Sequence, residues 1–229
     1  MANNKKLLKD GRPTFFVDEN QQNQIRAAGI LLYTKVDGEI YFLFTRYGGR
    51  VWEDVGGKTD IVDKDAIDTA TRECGEETNC AFVSSTKVET KEQVVKLLPQ
   101  SNKFFKGLIK KQQVKPIYVK HSKYIIYPVK IKKKSFLRVT AEMLSDKEHW
   151  LGYDREAKWI SGQELLNLYE NGEVHVRLRD PPVYQRLKAL VEGKQVAENR
   201  QIITDDNREN NPADYNNWRS RINVQCVTS

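Results

Sequence analysis

The run Gly56-Gly57-Lys58-Thr59-Asp60-Ile61-Val62-Asp63-Lys64-Asp65-Ala66-Ile67-Asp68-Thr69-Ala70-Thr71-Arg72-Glu73-Cys74-Gly75-Glu76-Glu77-Thr78-Asn79-Cys80 decides how this chain is read. Asp63 to Cys80 reads as a helix. Asp63 and Asp65 place acids at its start, where the helix dipole favours them. Ala66, Ile67, Ala70 and Cys74 recur at helical spacing and give an apolar face. Glu73 and Glu77 are one turn apart with Glu76 beside them, so all three reach one side of the C-terminal half. Arg72 precedes Glu76 by four residues and can pair with it. Upstream, Gly56-Gly57 follow the apolar-aromatic run from Val51 to Val55. Glycines there allow a tight strand-to-loop turn and a close approach of backbone to ligand.

Carboxylates at spacings of three and four repel one another. An isolated Glu-Glu pair on a helix is usually a solvated face. Here a Gly-Gly, a loop, an Arg-Glu and a Glu-Glu follow in order, which argues for a shared counterion. A divalent metal such as Mg²⁺, bound through carboxylate and phosphate oxygens, resolves the repulsion.

Residues 56–80 resemble the signature box of the Nudix hydrolase superfamily. The pattern is Gly, five residues, Glu, seven residues, Arg-Glu, an apolar residue, any residue, Glu-Glu, any residue, Gly and an apolar residue. Gly57 matches the first position. Arg72, Glu73, Cys74, Glu76 and Glu77 match the core, and Cys80 suits the last position. Three positions depart from it: Asp63 stands for the first Glu, eight residues separate Asp63 from Arg72, and Asn79 stands for the last Gly. Asn tolerates the left-handed conformation of a helix C-cap.

The resemblance implies a loop-helix-loop holding Mg²⁺ or Mn²⁺ under a pyrophosphate. It implies Glu73, Glu76 and Glu77 as metal ligands, with the Gly56 carbonyl as a further one. Glu76 and Glu77 are then catalytic, and Arg72 orients a carboxylate. Such families often recruit an additional acid as base from outside the helix. Glu156 is the choice here, with Asp154 as its neighbour. Arg46 and Arg50 lie just ahead of the loop, and guanidinium suits bidentate phosphate contacts. Trp52 is a candidate to stack on a base, against a core or rim role.

The chain has 229 residues, which suits one domain with extensions. The expected boundaries are an N-terminal extension over 1–24, a Nudix domain over 25–192 with an insertion near 90–115, and a polar tail over 193–229. No apolar run is long enough to span a membrane, and the polar start from Met1 to Lys9 lacks a signal-peptide core. Cys74, Cys80 and Cys226 have no metal-type spacing and read as free thiols of a reducing compartment, hence a cytoplasmic expectation.

The net charge is +7, but it is unevenly spread. From Gln93 to Ala141 there is no Asp or Glu, against twelve lysines and Arg138, so the remainder of the chain is net acidic. The densest part is Lys130-Ile131-Lys132-Lys133-Lys134. Such a segment favours polyanions, and Lys132 and Lys133 are candidate substrate contacts. The bland alternative is a solubilising face.

Arg26 to Lys35 reads as a buried strand. Asp37-Gly38 reads as a hairpin turn and Tyr41 to Arg46 as the return strand. Thr14 to Val17 could add an edge strand to an otherwise loosely attached N-terminus. Ala81 to Glu89 reads as a strand. A helix follows within 91–113 and is ended by Pro99. Ile117 to Val119 and Tyr124 to Ile131 form a hairpin pair. Glu156 to Ile160 is a strand leading to Ser161 as N-cap of the next helix, and Val183 to Val191 closes the domain. Strands around a central helix, with helices on both faces, give an α/β/α sandwich on a mixed sheet.

The expected activity is a metal-dependent pyrophosphohydrolase acting on a nucleoside diphosphate derivative. Capped RNA and diphosphoinositol polyphosphate suit the lysine segment, and a small nucleotide stays open. The alternatives are a Nudix-fold sensor that binds nucleotide or RNA without cleaving it, and a structural RNA-binding protein.

Overall fold

The computed structural model describes residues 6–194, apart from residues 9 and 19. In chain order its elements are β1 (Lys6–Leu7), β2 (Pro13–Phe16), β3 (Gln24–Ile25), β4 (Ala27–Val36), β5 (Glu39–Tyr47), β6 (Val55–Lys58), α1 (Ala66–Glu77), α2 (Lys91–Lys111), β7 (Ile117–Val119), β8 (Tyr124–Lys130), α3 (Lys133–Arg138), α4 (Ala141–Leu144), β9 (Lys147–Glu148), β10 (Tyr153–Ser161), α5 (Gly162–Glu170) and α6 (Pro181–Val191).

The main sheet runs β7-β8-β4-β5-β10-β9, with β6 also on β4. β4 and β8 are parallel and the other pairs antiparallel. β4 is the hub. Its first half pairs with β6, its second half with β5, and its other edge with β8. Successive side chains point to opposite faces. Ala28, Ile30 and Leu32 therefore join Ala70, Cys74 and Phe105 under α1 and α2, while Leu31 packs with Leu165 and Leu187 under α5 and α6. The result is an α/β/α sandwich around a mixed sheet. Asp37 (φ 52°) and Gly38 (φ 93°) both adopt positive φ, as a two-residue hairpin between twisted strands requires.

Four local expectations change. Pro13–Phe16 lies in a small sheet with β1 and β3. It is fastened to the body, with Phe15 in the core and the Thr59 hydroxyl donating to the Pro13 carbonyl at 2.7 Å. Residues 81–89 form turns rather than a strand, because Arg138 donates to the Phe82 and Ser84 carbonyls and fixes the segment as a loop. α2 runs through Pro99. Thr90 and Gln93 form a capping box that sets its start, and the carbonyl that loses its donor belongs to the exposed Val95. Gly56 and Gly57 lie within β6, not in a turn.

The tail expected over 193–229, with Trp218, Ile222 and Cys226, lies outside the described residues apart from its first two. Cys74 and Cys80 are free and buried. Among the described residues, no helix is long and apolar enough to cross a membrane.

Candidate active site

α1 is placed by both its ends. Asp65 caps its start by accepting the Asp68 N–H. At its end, Asn79 (φ 48°) and Cys80 (φ 54°) turn left-handed. The Cys80 N–H donates to the Gly75 carbonyl at 2.8 Å and the Asn79 N–H to the Glu76 carbonyl at 3.1 Å. These two bonds are the Schellman pattern. The Asn79 side chain also ties in the next segment, bonding the Leu144 and Lys147 carbonyls and the His149 N–H.

The C-terminal half of α1 lies against β6, and the glycines make that approach possible. A Cβ on Gly57 would stand 2.4 Å from Oε2 of Glu73. One on Gly56 would stand 2.2 Å from the Tyr124 hydroxyl. The Gly56 N–H donates to Oε2 of Glu77 at 2.8 Å, so Gly56 touches the cluster through its amide.

Arg72 organises the carboxylates. Its Nε and Nη2 donate to Oδ1 and Oδ2 of Asp63 at 2.9 and 3.0 Å. Its Nη1 donates to Glu73 at 2.9 Å and Glu76 at 3.0 Å, and Nη2 also reaches the Lys58 carbonyl. Asp63 is buried and takes the Asp60 N–H and the Thr69 hydroxyl as well. The shorter side chain and the extra loop residue thus still deliver a bidentate carboxylate to Arg72.

Burial pushes Glu76 up to about 8 against the pull of Arg72. It also raises Glu73. Glu77 is raised well above its ordinary value, by burial first and then by Glu73 and Glu53. Oε1 of Glu76 is buried without a hydrogen-bond partner. The oxygen donor set suits a hard divalent cation. In this arrangement Glu73 and Glu76 face Arg72, and among the described residues no three His, Cys, Asp or Glu side chains converge as a metal cage.

Further groups meet the cluster. The Tyr47 hydroxyl donates to Glu77 at 3.3 Å. Glu53 and Glu148 act on the cluster electrostatically. Arg155 is buried, donates through Nη2 to the Leu144 carbonyl, and keeps Nε and Nη1 without hydrogen bonds. Beneath Gly56 lies a buried ionic knot. Arg177 donates to Asp54 at 2.8 Å, pairs with Glu53 at 3.1 Å and stacks on Tyr124 at 4.5 Å. The Tyr124 hydroxyl donates to Asp54 at 2.9 Å.

The structure brings Gly56, Arg72, Glu73, Glu76 and Glu77 together, with exposed Arg50 near Glu53 at the rim. It sets other expected residues apart. Glu156 is exposed and held by Arg46 at 2.7 and 2.8 Å. Strand alternation puts both on the sheet face away from α1, so Glu156 has no place beside the carboxylates. Trp52 is 2% exposed in the core. The Arg46 guanidinium lies 4.6 Å and the Lys158 ammonium 4.9 Å from its ring centroid, leaving no face for a base. Lys132 and Lys133 lie beyond the end of β8, away from α1.

The raised Glu76 has a measurable consequence. An acid with a higher pKa folded than unfolded keeps its proton in the fold after the unfolded chain has lost it. Stability therefore falls as pH rises from the ordinary 4.5 through about 8. Without metal, melting at about pH 8.5 is expected a few degrees below that at about pH 7, on the order of 1 kcal/mol. Mg²⁺ should restore more at the higher pH. A flat profile, or an equal Mg²⁺ effect at both pH values, would contradict this.

No family model matches the chain. An uncharacterized protein of Acanthamoeba polyphaga mimivirus is 30% identical over 209 residues, covering 73% of this chain. The chain spans 66% of that relative's length, just under two thirds. Among solved structures, a C. elegans Ap4A hydrolase binary complex is 15% identical with a TM-score of 0.38, covering 74% of this chain and 98% of that one. A Nudix hydrolase from M. smegmatis, RenU, is 12% identical with a TM-score of 0.35, covering 82% and 96%. Those likenesses are distant. A strand, loop and helix over residues 55–80 seat Arg72, Glu73, Glu76 and Glu77 against a mixed sheet with helices on both faces.

Proposed function

We propose that this chain is a Mg²⁺- or Mn²⁺-dependent pyrophosphohydrolase acting on a nucleoside diphosphate derivative. Capped RNA and diphosphoinositol polyphosphate are its large polyanionic candidates. The observation that carries this reading is the trio Glu73, Glu76 and Glu77, gathered on one helix end with a buried, unpartnered Glu76 oxygen. Glu73, Glu76 and Glu77 would hold the cation. Once bound, it supplies charge neutralisation at the phosphate oxygens and an acidified water.

The chain's own groups do the rest. Arg72 orients Glu73 and Glu76. The Gly56 N–H and the Tyr47 hydroxyl fix Glu77. Glu53 is the acid that takes the proton of the attacking water. It acts on Glu77, is partly open to solvent and is steadied by Arg177. The water oxygen bonds to one phosphorus as the bridging P–O bond breaks, and the bridging oxygen leaves with the other phosphate.

Glu53→Gln keeps an oxygen for Arg177 but cannot accept the proton. Its kcat is expected to fall about 10²- to 10⁴-fold with KM little changed. An unchanged kcat would remove Glu53 from this role. One observation favours a second reading, a sensor that binds without cleaving: Nη1 of Arg72 already takes up one oxygen of Glu73 and one of Glu76, and among the described residues no three acidic side chains are set to hold a metal ion. A sensor would bind nucleotide and turn over none of the candidate substrates with either metal.

A further inference from the structure

β4 and β8 are neighbouring parallel strands. Ligands of open α/β sheets favour the crevice outside the carboxyl ends of parallel strands. At that end of this pair lies a depression of about 490 Å³, lined by Tyr33, Lys35, Gln112, Lys130, Lys132 and Lys133 among others. All four lysines are exposed. The charge of Arg186 also acts on Tyr33. The acid paired here is Asp37, 2.7 Å from Lys133 on an exposed hairpin tip, which leaves the cations in excess. The floor is fixed. The Gln112 side chain donates to the Lys130 carbonyl at 2.6 Å and accepts its N–H at 3.0 Å, and the Ile131 N–H donates to the Tyr33 carbonyl.

We propose that this depression is an anion site for a compact polyphosphate, separate from the carboxylate helix. Its volume is that of small-molecule sites, and converging lysines act as point charges on phosphate oxygens. It is poorly suited to a nucleic-acid strand. The Tyr33 ring is half-buried and packs 6.2 Å from Phe42, so it offers bases no open stacking platform. The Gln112 amide is committed to the backbone and reads no base edge.

The test uses tripolyphosphate with the full chain in EDTA, which takes metal binding at Glu73, Glu76 and Glu77 out of the measurement. The outcome is therefore independent of whether the chain is a hydrolase. Titration calorimetry would compare the wild type with the triple variant Lys35→Ala, Lys132→Ala, Lys133→Ala. The control is Lys110→Ala, Lys111→Ala, which removes exposed charge from the end of α2. The expected result is a loss of about tenfold or more in the triple variant and less than about twofold in the control. Equal losses would reduce the depression to diffuse surface charge. A single-stranded RNA oligonucleotide that binds through the same lysines, with tripolyphosphate failing to bind, would overturn the compact-ligand assignment.

Discussion

Glu77→Gln is expected to lower Mg²⁺-dependent turnover by about three orders of magnitude while leaving the fold intact. A metal centre contributes several kcal/mol to transition-state charge stabilisation, and each ~1.4 kcal/mol is a factor of ten in rate. The substitution keeps an oxygen to accept the Gly56 N–H, so the contact between α1 and β6 survives. It also removes a carboxylate whose ionised form burial and the neighbouring Glu73 and Glu53 oppose. The metal-free variant should therefore melt at or slightly above the wild-type temperature and lose the upward shift that Mg²⁺ gives the wild type. Steady-state kinetics and thermal melts with and without Mg²⁺ check both halves. Turnover within about twofold of wild type would show that Glu77 is not a ligand of the reacting centre.

Arg177→Met should have the largest effect on stability. Asp54 is fully buried, and its charge is balanced by Arg177 and hydrogen-bonded by Tyr124. Removing the cation strands that charge, which costs about 3–5 kcal/mol, or roughly 10 °C in Tm for a domain of this size. Pairing it with Asp54→Asn should recover much of the loss, because no uncompensated charge is then left inside. Arg177 also holds Glu53 near Glu77, so the single variant should weaken Mg²⁺ binding as well. A single variant destabilised by less than about 1 kcal/mol would contradict this account of the knot.

The parts of the fold legible in the sequence were those with local cause. α1 declared itself through Ala66, Ala70 and Cys74 at helical spacing, and the β4–β5 hairpin through Asp37-Gly38. Ser161 capped α5 as its position suggested. The misreadings came where distant partners decide. Pro99 looked like a helix end, but the capping box at Thr90 and burial of Val94, Phe105 and Ile109 carry α2 through it. Residues 81–89 have strand-like composition, yet Arg138, more than fifty residues on, holds them as a loop.

The site divides the same way. Arg72, Glu73, Glu76 and Glu77 sit within one helical turn and a half, so spacing alone gathers them. Arg177 meets Asp54 across 123 residues, and no pattern around Val176–Arg179 announces it. Glu156 shows how narrow the margin is on a strand. Neighbouring side chains alternate between faces. Arg155, paired with Tyr47, comes to the α1 side, and Glu156 goes to the other. Knowing that a strand runs through 153–161 does not by itself say which residue faces the helix.

The most direct test of the central claim is product analysis by mass spectrometry after incubation in isotopically labelled water. The wild-type chain would be given nucleoside diphosphate derivatives, capped RNA and diphosphoinositol polyphosphate, with Mg²⁺ or Mn²⁺. The prediction is cleavage of a P–O–P linkage of at least one of them, with one labelled oxygen in one phosphoryl product. EDTA and Glu77→Gln should each abolish it. Binding of these ligands with no labelled product from any of them, under either metal, would contradict the hydrolase and leave a sensor that binds without cleaving.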